Sequence, residues 1–160
     1  SKRERGPKKL IFKSSFGKQG TGLGEFNMPV GLVIKENYLY LTDTGNNRIQ
    51  ILKINSNGGL TPQSAFGKQG VGLGEFSEPI CLTVDKNYLY VIEEYNSRIQ
   101  VFEINTDGNL SPKFSFGKQG KNLGEFGGDN AYLIMLAIKD SFLYVADTGN
   151  NRIQALEIKY

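Results

Sequence analysis

Histidine and tryptophan are absent from the 160 residues, and cysteine occurs only once, as Cys81. Without histidine the chain cannot supply a serine–histidine triad, a histidine-ligated zinc ion or histidine acid–base chemistry. One cysteine excludes an internal disulfide and a cysteine-based zinc cage. No apolar run approaches the roughly 20 residues of a membrane-spanning helix. The sequence therefore predicts no cofactor and no membrane partner.

Positive charge is concentrated at the N-terminus. The net charge is +3, while residues 1–9 alone carry five basic side chains and one glutamate, or +4, which leaves −1 for residues 10–160. We interpret residues 1–8 as a basic N-terminal tail and residues 9–160 as one folded unit. Glycine occurs 20 times, nearly twice its usual share of about 7 %, which favours frequent turns over long helices.

The sequence repeats with a period of 50 residues. Phe-Gly-Lys-Gln-Gly at 16–20 recurs at 66–70 and 116–120, and each copy continues to Gly-Glu-Phe. A second block, Asp-Thr-Gly-Asn-Asn-Arg-Ile-Gln at 43–50, returns unchanged at 147–154 and in looser form at 93–100. Four additional residues near 127–130 displace the last block. A fixed period of this length indicates an array of similar structural units.

Each period contains four short apolar runs separated by turn residues. In the middle copy they predict strands at 79–84, 87–92, 98–104 and 111–116. Several strands are apolar at successive positions, which is typical of a sheet buried between two layers. Four-stranded antiparallel units that need a neighbour on both faces predict the blades of a β-propeller.

A family resemblance supports this interpretation. The pattern Phe-Gly-x-x-Gly-x-Gly-x-Gly-x-Phe, then Pro29 or Pro79, an apolar strand and Asp-x-x-Asn-x-Arg-Ile-Gln closely resembles the NHL repeat of β-propellers. The resemblance covers three copies over about residues 10–160 and implies an all-β fold with three blades per chain. The third copy departs from it, with Asp129 where a proline is expected.

Three blades do not close a ring, because propellers typically have four to eight. Residues 9–16 correspond to a fourth strand, whereas the last apolar run, 152–158, corresponds to a third strand. We therefore predict a six-bladed ring formed by a head-to-tail homodimer, in which each N-terminal strand completes the partner's last blade. The alternative is that these residues are part of a longer propeller.

The glycine loops and the 43–50 type turns are expected on one side of the disc, because successive strands alternate in direction. Loops on rigid scaffolds often carry function, so this side is the predicted binding face for an unidentified protein. Its candidate binding residues are Lys18, Gln19, Lys68, Gln69, Lys118, Gln119, Asp129 and Asn130. The polar residues of the turns are predicted to form a structural turn brace, and they are Asp43, Asn46, Arg48, Glu93, Asn96, Arg98, Asp147, Asn150 and Arg152.

The sequence thus predicts a non-enzymatic scaffold for protein–protein interaction, and two alternatives stay open. Some NHL propellers bind RNA on this face, but the loop charges sum to zero in copies one and three and to −2 in copy two, which disfavours nucleic acid. The resemblance also brings to mind six-bladed lyases and hydrolases. Without histidine, such an enzyme would need an oxygen-ligated calcium site, with Asp129 as a candidate ligand.

Overall fold

The computed structural model describes residues 6–129 and 134–160, and these ranges form an all-β structure. Residues 1–5 of the predicted tail, and Asn130 of the predicted binding face, lie outside them. In the described ranges, no helix has the length and hydropathy that a membrane crossing requires. The strands are β1 (Pro29–Lys35), β2 (Tyr38–Asp43), β3 (Arg48–Ile54), β4 (Leu60–Phe66), β5 (Pro79–Asp85), β6 (Tyr88–Glu93), β7 (Arg98–Ile104), β8 (Leu110–Phe116), β9 (Gln119–Gly120), β10 (Phe126–Gly127), β11 (Ile134–Lys139), β12 (Phe142–Asp147) and β13 (Arg152–Glu157).

The long strands form three antiparallel sheets in simple up-and-down order. Strands β1–β4 make blade 1, β5–β8 make blade 2, and β11–β13 make the three-stranded blade 3. Blades 1 and 2 share the same register, including an irregularity after Ile51 that recurs after Val101. The four strands predicted for the middle copy are confirmed, with ends that differ by no more than one residue. Two short 3-10 turns, Thr44–Asn46 and Thr148–Asn150, join the second and third strands of blades 1 and 3.

The blades stack face to face, with their first strands side by side. Strand β5 lies between β1 and β11. A Cβ atom on Gly31 would approach the Ile80 carbonyl oxygen to 2.6 Å, so the small residue permits β1 to lie close to β5. Neighbouring first strands are the arrangement found around the axis of a propeller. The prediction of an all-β protein built from four-stranded antiparallel sheets is confirmed.

Two apolar cores fill the spaces between blades. Tyr40 and Phe102 pack between blades 1 and 2, whereas Ile92 and Val145 pack between blades 2 and 3, and these four side chains are at most 1 % exposed. Blade 2 is thereby covered on both faces. The outer faces of blades 1 and 3 remain exposed within the single chain, so each end of the stack has the composition of an interior surface.

The N-terminal segment 9–16, predicted as a strand, has no strand partner in the described part of the same chain. Its apolar residues Leu10, Ile11 and Phe12 are 98 %, 61 % and 81 % exposed. The predicted pairing is with a second copy. It therefore stays a prediction, as do the homodimer, the six-bladed ring and the division of the chain into tail and blades.

Candidate functional site

One end of the stacked blades carries both kinds of repeated loop. The glycine loops 17–28, 67–78 and 117–129 enter the first strands there, and the turns 43–48, 93–98 and 147–152 leave the second strands there. We call this end the loop face. The strands position the backbone of the loop face. Residues that depart from the repeat make its chemistry differ from blade to blade.

A buried carboxylate organises each of the turns. In blade 1 the Asp43 side chain is 0 % exposed. Its Oδ2 accepts hydrogen bonds from Arg48 Nε at 2.7 Å, Asn46 Nδ2 at 2.9 Å and Gln50 Nε2 at 3.0 Å, and its Oδ1 accepts one from Asn27 N at 2.7 Å. The carboxylate is fully satisfied, as a buried charge requires.

The same constellation recurs around Glu93 and Asp147, both 0 % exposed. Glu93 binds Arg98 Nε at 2.7 Å, and Asp147 binds Arg152 Nε at 2.8 Å. The remaining donors to the two carboxylates are Asn96, Gln100 and Ser77 N around Glu93 and Asn150, Gln154 and Gly127 N around Asp147. The structure thus brings together all nine residues of the predicted turn brace, three in each blade.

Sequence reasoning did not include Gln50, Gln100 and Gln154 in this cluster. Each glutamine bonds the buried carboxylate and also spans to the glycine loop, where Gln50 accepts from Gly24 N at 2.9 Å and donates to Glu25 O at 2.6 Å. The signal was present, because all three copies of the turn motif end in glutamine. Arg48 Nη2 also donates to the Gly22 and Glu25 carbonyls, so the turn and the loop form one unit.

Hydrogen bonding keeps two of these carboxylates ionised. Burial is the largest single influence on Asp43 and Asp147, and by itself it raises the pKa. The hydrogen bonds to each carboxylate together outweigh burial, so the pKa of both groups lies below its ordinary value.

The lysines and glutamines of the predicted binding face lie in the glycine loops. Each lysine pairs with the glutamate of its own loop, Lys18 with Glu25 at 3.0 Å and the other two at 3.3 Å. Gln19, Gln69 and Gln119 are exposed. Asp129 is also exposed and accepts a hydrogen bond from Lys121 Nζ at 2.5 Å. The charged side chains of the predicted binding face thus form local ion pairs, and its glutamines do not.

Two further carboxylates, Glu78 and Glu94, distinguish blade 2 on the loop face. They flank the start of β5 and the end of β6, and Glu94 N donates to the Glu78 carbonyl at 3.0 Å. Burial raises the pKa of Glu94, and the negative charge of Glu78 raises it further. Both glutamates depart from the repeat, because the first copy has Met28 and Thr44 at the equivalent positions. This departure from the repeat could have identified the two glutamates from the sequence. At the sequence level only the departure at 127–130 was considered as a possible specific site.

Within the described ranges, no group of three or more acidic or cysteine side chains could hold a metal ion. The calcium site considered from the sequence therefore has no ligand cluster in this part of the chain. A partly buried glutamate with a raised pKa, beside a second carboxylate, is instead suited to accepting and donating protons.

Comparison with known proteins identifies the family. Residues 30–160 match the family described as Lactonase, 7-bladed beta-propeller. The chain belongs to this lactonase family. The match covers most of the chain, whereas no curated protein matches it.

Solved structures share the fold of this lactonase-family chain. A protein of unknown function from Desulfotomaculum acetoxidans superposes with a TM-score of 0.60 at 20 % identity, over 83 % of this chain and 40 % of the other. A candidate 6-phosphogluconolactonase from Bacteroides fragilis gives 0.62 at 17 %, over 84 % and 39 %. The periplasmic gluconolactonase of Pseudomonas aeruginosa gives 0.59 at 14 %, over 81 % and 35 %. This chain thus spans 35 to 40 % of the length of these three structures.

Family membership corrects three predictions. The β-propeller part of the resemblance is confirmed, but the NHL repeat gives way to the lactonase family. The prediction of a non-enzymatic, protein-binding scaffold is wrong, and so is the prediction that the protein is not an enzyme, since the family and its structural neighbours carry the names of lactone hydrolases. The error arose because missing histidine excludes only histidine chemistry, while carboxylates can also activate water.

Proposed function

We propose that this chain contributes three blades to a propeller hydrolase that opens lactone rings on its loop face. The observation that carries the proposal is the family match over residues 30–160. The names of two structural neighbours, both gluconolactonases in the wider sense, point to sugar lactones as the first substrates to examine. Fold alone does not determine chemistry, and the proposed chemistry therefore rests on residues of the loop face.

Lactone hydrolysis requires transfer of a proton to and from oxygen. Water adds to the carbonyl carbon and loses a proton, the bond from that carbon to the ring oxygen breaks, and the ring oxygen gains a proton to give a hydroxy acid. The Glu94 carboxylate is our candidate for the group that accepts the proton from water and returns it to the ring oxygen. Its raised pKa makes it a stronger base than an ordinary glutamate.

Charge on the loop face favours an uncharged lactone over a phosphorylated one. The loop lysines pair with their own glutamates, and the turn arginines pair with buried carboxylates. Glu78 and Glu94 add further negative charge in blade 2. A phosphate group would be repelled by these carboxylates, whereas a neutral sugar lactone can approach them.

A complete ring needs further blades, and we propose that a second copy supplies them. Two three-bladed chains joined head to tail would form the six-bladed ring predicted from the sequence. The family description specifies seven blades, whereas the proposed assembly has six. The number of blades in the assembled protein should therefore be measured. The active form in this proposal is the assembled protein, and activity is measured on it.

Replacing Glu94 should abolish most of the hydrolysis while leaving the fold intact. We expect Glu94→Thr to lower kcat/KM for glucono-δ-lactone about a hundredfold, because general acid–base catalysis typically contributes that much or more. Threonine occupies the equivalent positions 44 and 148 of the other copies, so the backbone tolerates it. The control is Glu36→Gln, a loss of charge on an exposed residue at the opposite end of β1. Wild-type activity no higher than the spontaneous rate with either lactone class would contradict the proposal.

The pH profile should report the same glutamate. If Glu94 acts as a base, kcat/KM rises with pH as the group loses its proton, and its raised pKa places this rise above the range of an ordinary glutamate. Removing the neighbouring charge with Glu78→Gln lowers the pKa of Glu94, so the rise should move to lower pH. A profile that is unchanged in Glu78→Gln would assign the rise to another group.

A further inference from the structure

Tyr95 is a bulky departure from the repeat on the loop face. It lies in the turn between β6 and β7, where the other two copies have Gly45 and Gly149. Its side chain is 61 % exposed, although blade 2 has a neighbouring blade on each side. The exposure is therefore a property of the loop face, where an aromatic ring lies in solvent and its counterparts have no side chain.

A second change in the same blade makes room for this side chain. In blade 1 Gly45 lies against Asn27, and a Cβ atom on Gly45 would approach Asn27 Cγ to 2.6 Å. A side chain at this position would therefore displace the asparagine. Blade 2 has the shorter Ser77 at the position of Asn27. The two positions thus change together, and the smaller serine accompanies the larger Tyr95.

The backbone of the turn also makes a different hydrogen bond in blade 2. In blade 1 Gly45 N donates to the Asn27 carbonyl at 2.9 Å, whereas in blade 2 Glu94 N donates to the Glu78 carbonyl at 3.0 Å. The bond in blade 2 begins one residue earlier in the turn and ends one residue later in the glycine loop. The turn that carries Tyr95 is thereby joined to the loop that carries Glu78.

The turn brace around these changes is retained. Asn96 and Arg98 bind the buried Glu93 as their counterparts do in the other blades. Arg98 also donates to carbonyl oxygens of the glycine loop 67–78 at 2.6, 2.8 and 3.1 Å. Because these bonds hold the backbone, Tyr95 is presented in a fixed position, which reduces the entropy lost when a ligand binds to it.

Two further bonds hold the carboxylates beside Tyr95. The buried Ser97 donates to the Glu94 carbonyl from both Oγ and N at 3.2 Å. The equivalent Asn47 extends from blade 1 to blade 2 instead, where its Oδ1 accepts a hydrogen bond from Glu78 N at 2.8 Å. The backbones of both glutamates, and with them that of Tyr95, are therefore anchored.

An exposed tyrosine beside two carboxylates has the chemistry of a sugar-binding surface. The face of an aromatic ring carries partial negative charge, and it attracts the weakly positive C–H groups on the face of a sugar ring. Carboxylate oxygens accept hydrogen bonds, which the hydroxyl groups at the edge of the sugar ring can donate. A phosphorylated sugar would be repelled by the same carboxylates, so the surface favours a neutral ring.

We propose that Tyr95 is the platform on which the ring of a neutral sugar lactone stacks, with the ester group of the lactone directed towards Glu94. Stacking fixes the plane of the ring, and the lactone carbonyl lies at the edge of that ring. The inference rests on the proposed function for the choice of ligand. Binding is measured with a ligand that is not hydrolysed, so the failure of stacking and the failure of lactone hydrolysis are distinguishable.

A single tryptophan tests the stacking without turnover. The chain contains no tryptophan, so Tyr95→Trp introduces one fluorophore at the platform. Glucono-δ-lactam, which has an N–H group in place of the ring oxygen and resists hydrolysis, should change its emission in a saturable manner. The control Leu23→Trp places a tryptophan on the loop face of blade 1, where Leu23 is 49 % exposed, and its emission should stay constant. No saturable change with Tyr95→Trp, or the same change in both variants, would overturn the proposal.

Steady-state kinetics separate stacking from catalysis. Tyr95→Gly restores the residue of the other two copies and should raise KM for glucono-δ-lactone about tenfold with kcat little changed, because it removes a contact made equally by substrate and transition state. Tyr95→Phe keeps the ring and should retain the wild-type KM. The pH profile assigned to Glu94 should be the same in both variants. An unchanged KM in Tyr95→Gly, or an equal rise in Tyr95→Phe, would refute stacking on the ring.

Discussion

Asp43→Ala should lower the free energy of unfolding by about 3 to 5 kcal/mol, the usual cost of breaking a buried ion pair from one side. The substitution removes the acceptor of four hydrogen bonds and leaves Arg48, Gln50 and the Asn27 N–H without their buried partner. Because Arg48 and Gln50 also bind the glycine loop, the loop should loosen with the turn. Chemical denaturation of the wild-type protein and the variant provides the measurement.

Asp43→Asn serves as the matched control, since it keeps the size of the side chain and one acceptor oxygen. Its cost should be smaller than that of Asp43→Ala but still measurable, because the charge opposite Arg48 is lost. If Asp43→Ala unfolds like the wild type, the buried carboxylate does not brace the turn. A role of these turn residues in binding a ligand would then be favoured.

Acid should destabilise the protein through the same carboxylates. The pKa of Asp43 and of Asp147 is lower in the folded state than the ordinary value of 3.8. Each group therefore contributes stability that is present above about pH 3.8 and is lost as the pH falls towards the folded pKa. Asp43→Asn should reduce the slope of unfolding free energy against pH in this acidic range. An identical slope in wild type and variant would contradict the assignment.

The repeat explains why the fold could be predicted from the sequence. A 50-residue period with four apolar runs specifies strands, and the spacing of Asp43 and Arg48 across a tight turn specifies their pairing. The glutamine that ends each turn motif was a usable signal for Gln50, but its second role, a hydrogen bond to a loop 25 residues away along the chain, could not be predicted from the motif. Contacts between elements require the tertiary structure.

The glutamates of the proposed function were harder to predict because they are departures from the repeat. The negative charge of Glu78 raises the pKa of Glu94 because two loops meet on the loop face. In the sequence the two glutamates contribute only to a net charge of −2, which was used against nucleic-acid binding. Position-by-position comparison of the copies would have identified both, since structural residues repeat while chemical ones need appear only once.

Phe76→Ala should have a cost of similar size to that of Asp43→Ala, about 3 to 5 kcal/mol, the range for removing a buried aromatic side chain. Phe76 is 0 % exposed and packs against Phe66 and Phe102 between blades 1 and 2. The corresponding Phe26 is only partly buried in the single chain, where it packs against Phe16. Below the dimer dissociation concentration, Phe26→Ala should therefore cost clearly less than Phe76→Ala.

Assembly should remove that difference. In the proposed ring, blade 3 of the second copy covers the outer face of blade 1, and Phe26 acquires the surroundings that Phe76 has in one chain. The cost of Phe26→Ala should then rise with protein concentration towards that of Phe76→Ala, because association stabilises only the covered state. Unfolding of both variants at several concentrations provides the measurement. A cost of Phe26→Ala that is independent of concentration, beside an unchanged cost of Phe76→Ala, would show that no blade covers this face in solution.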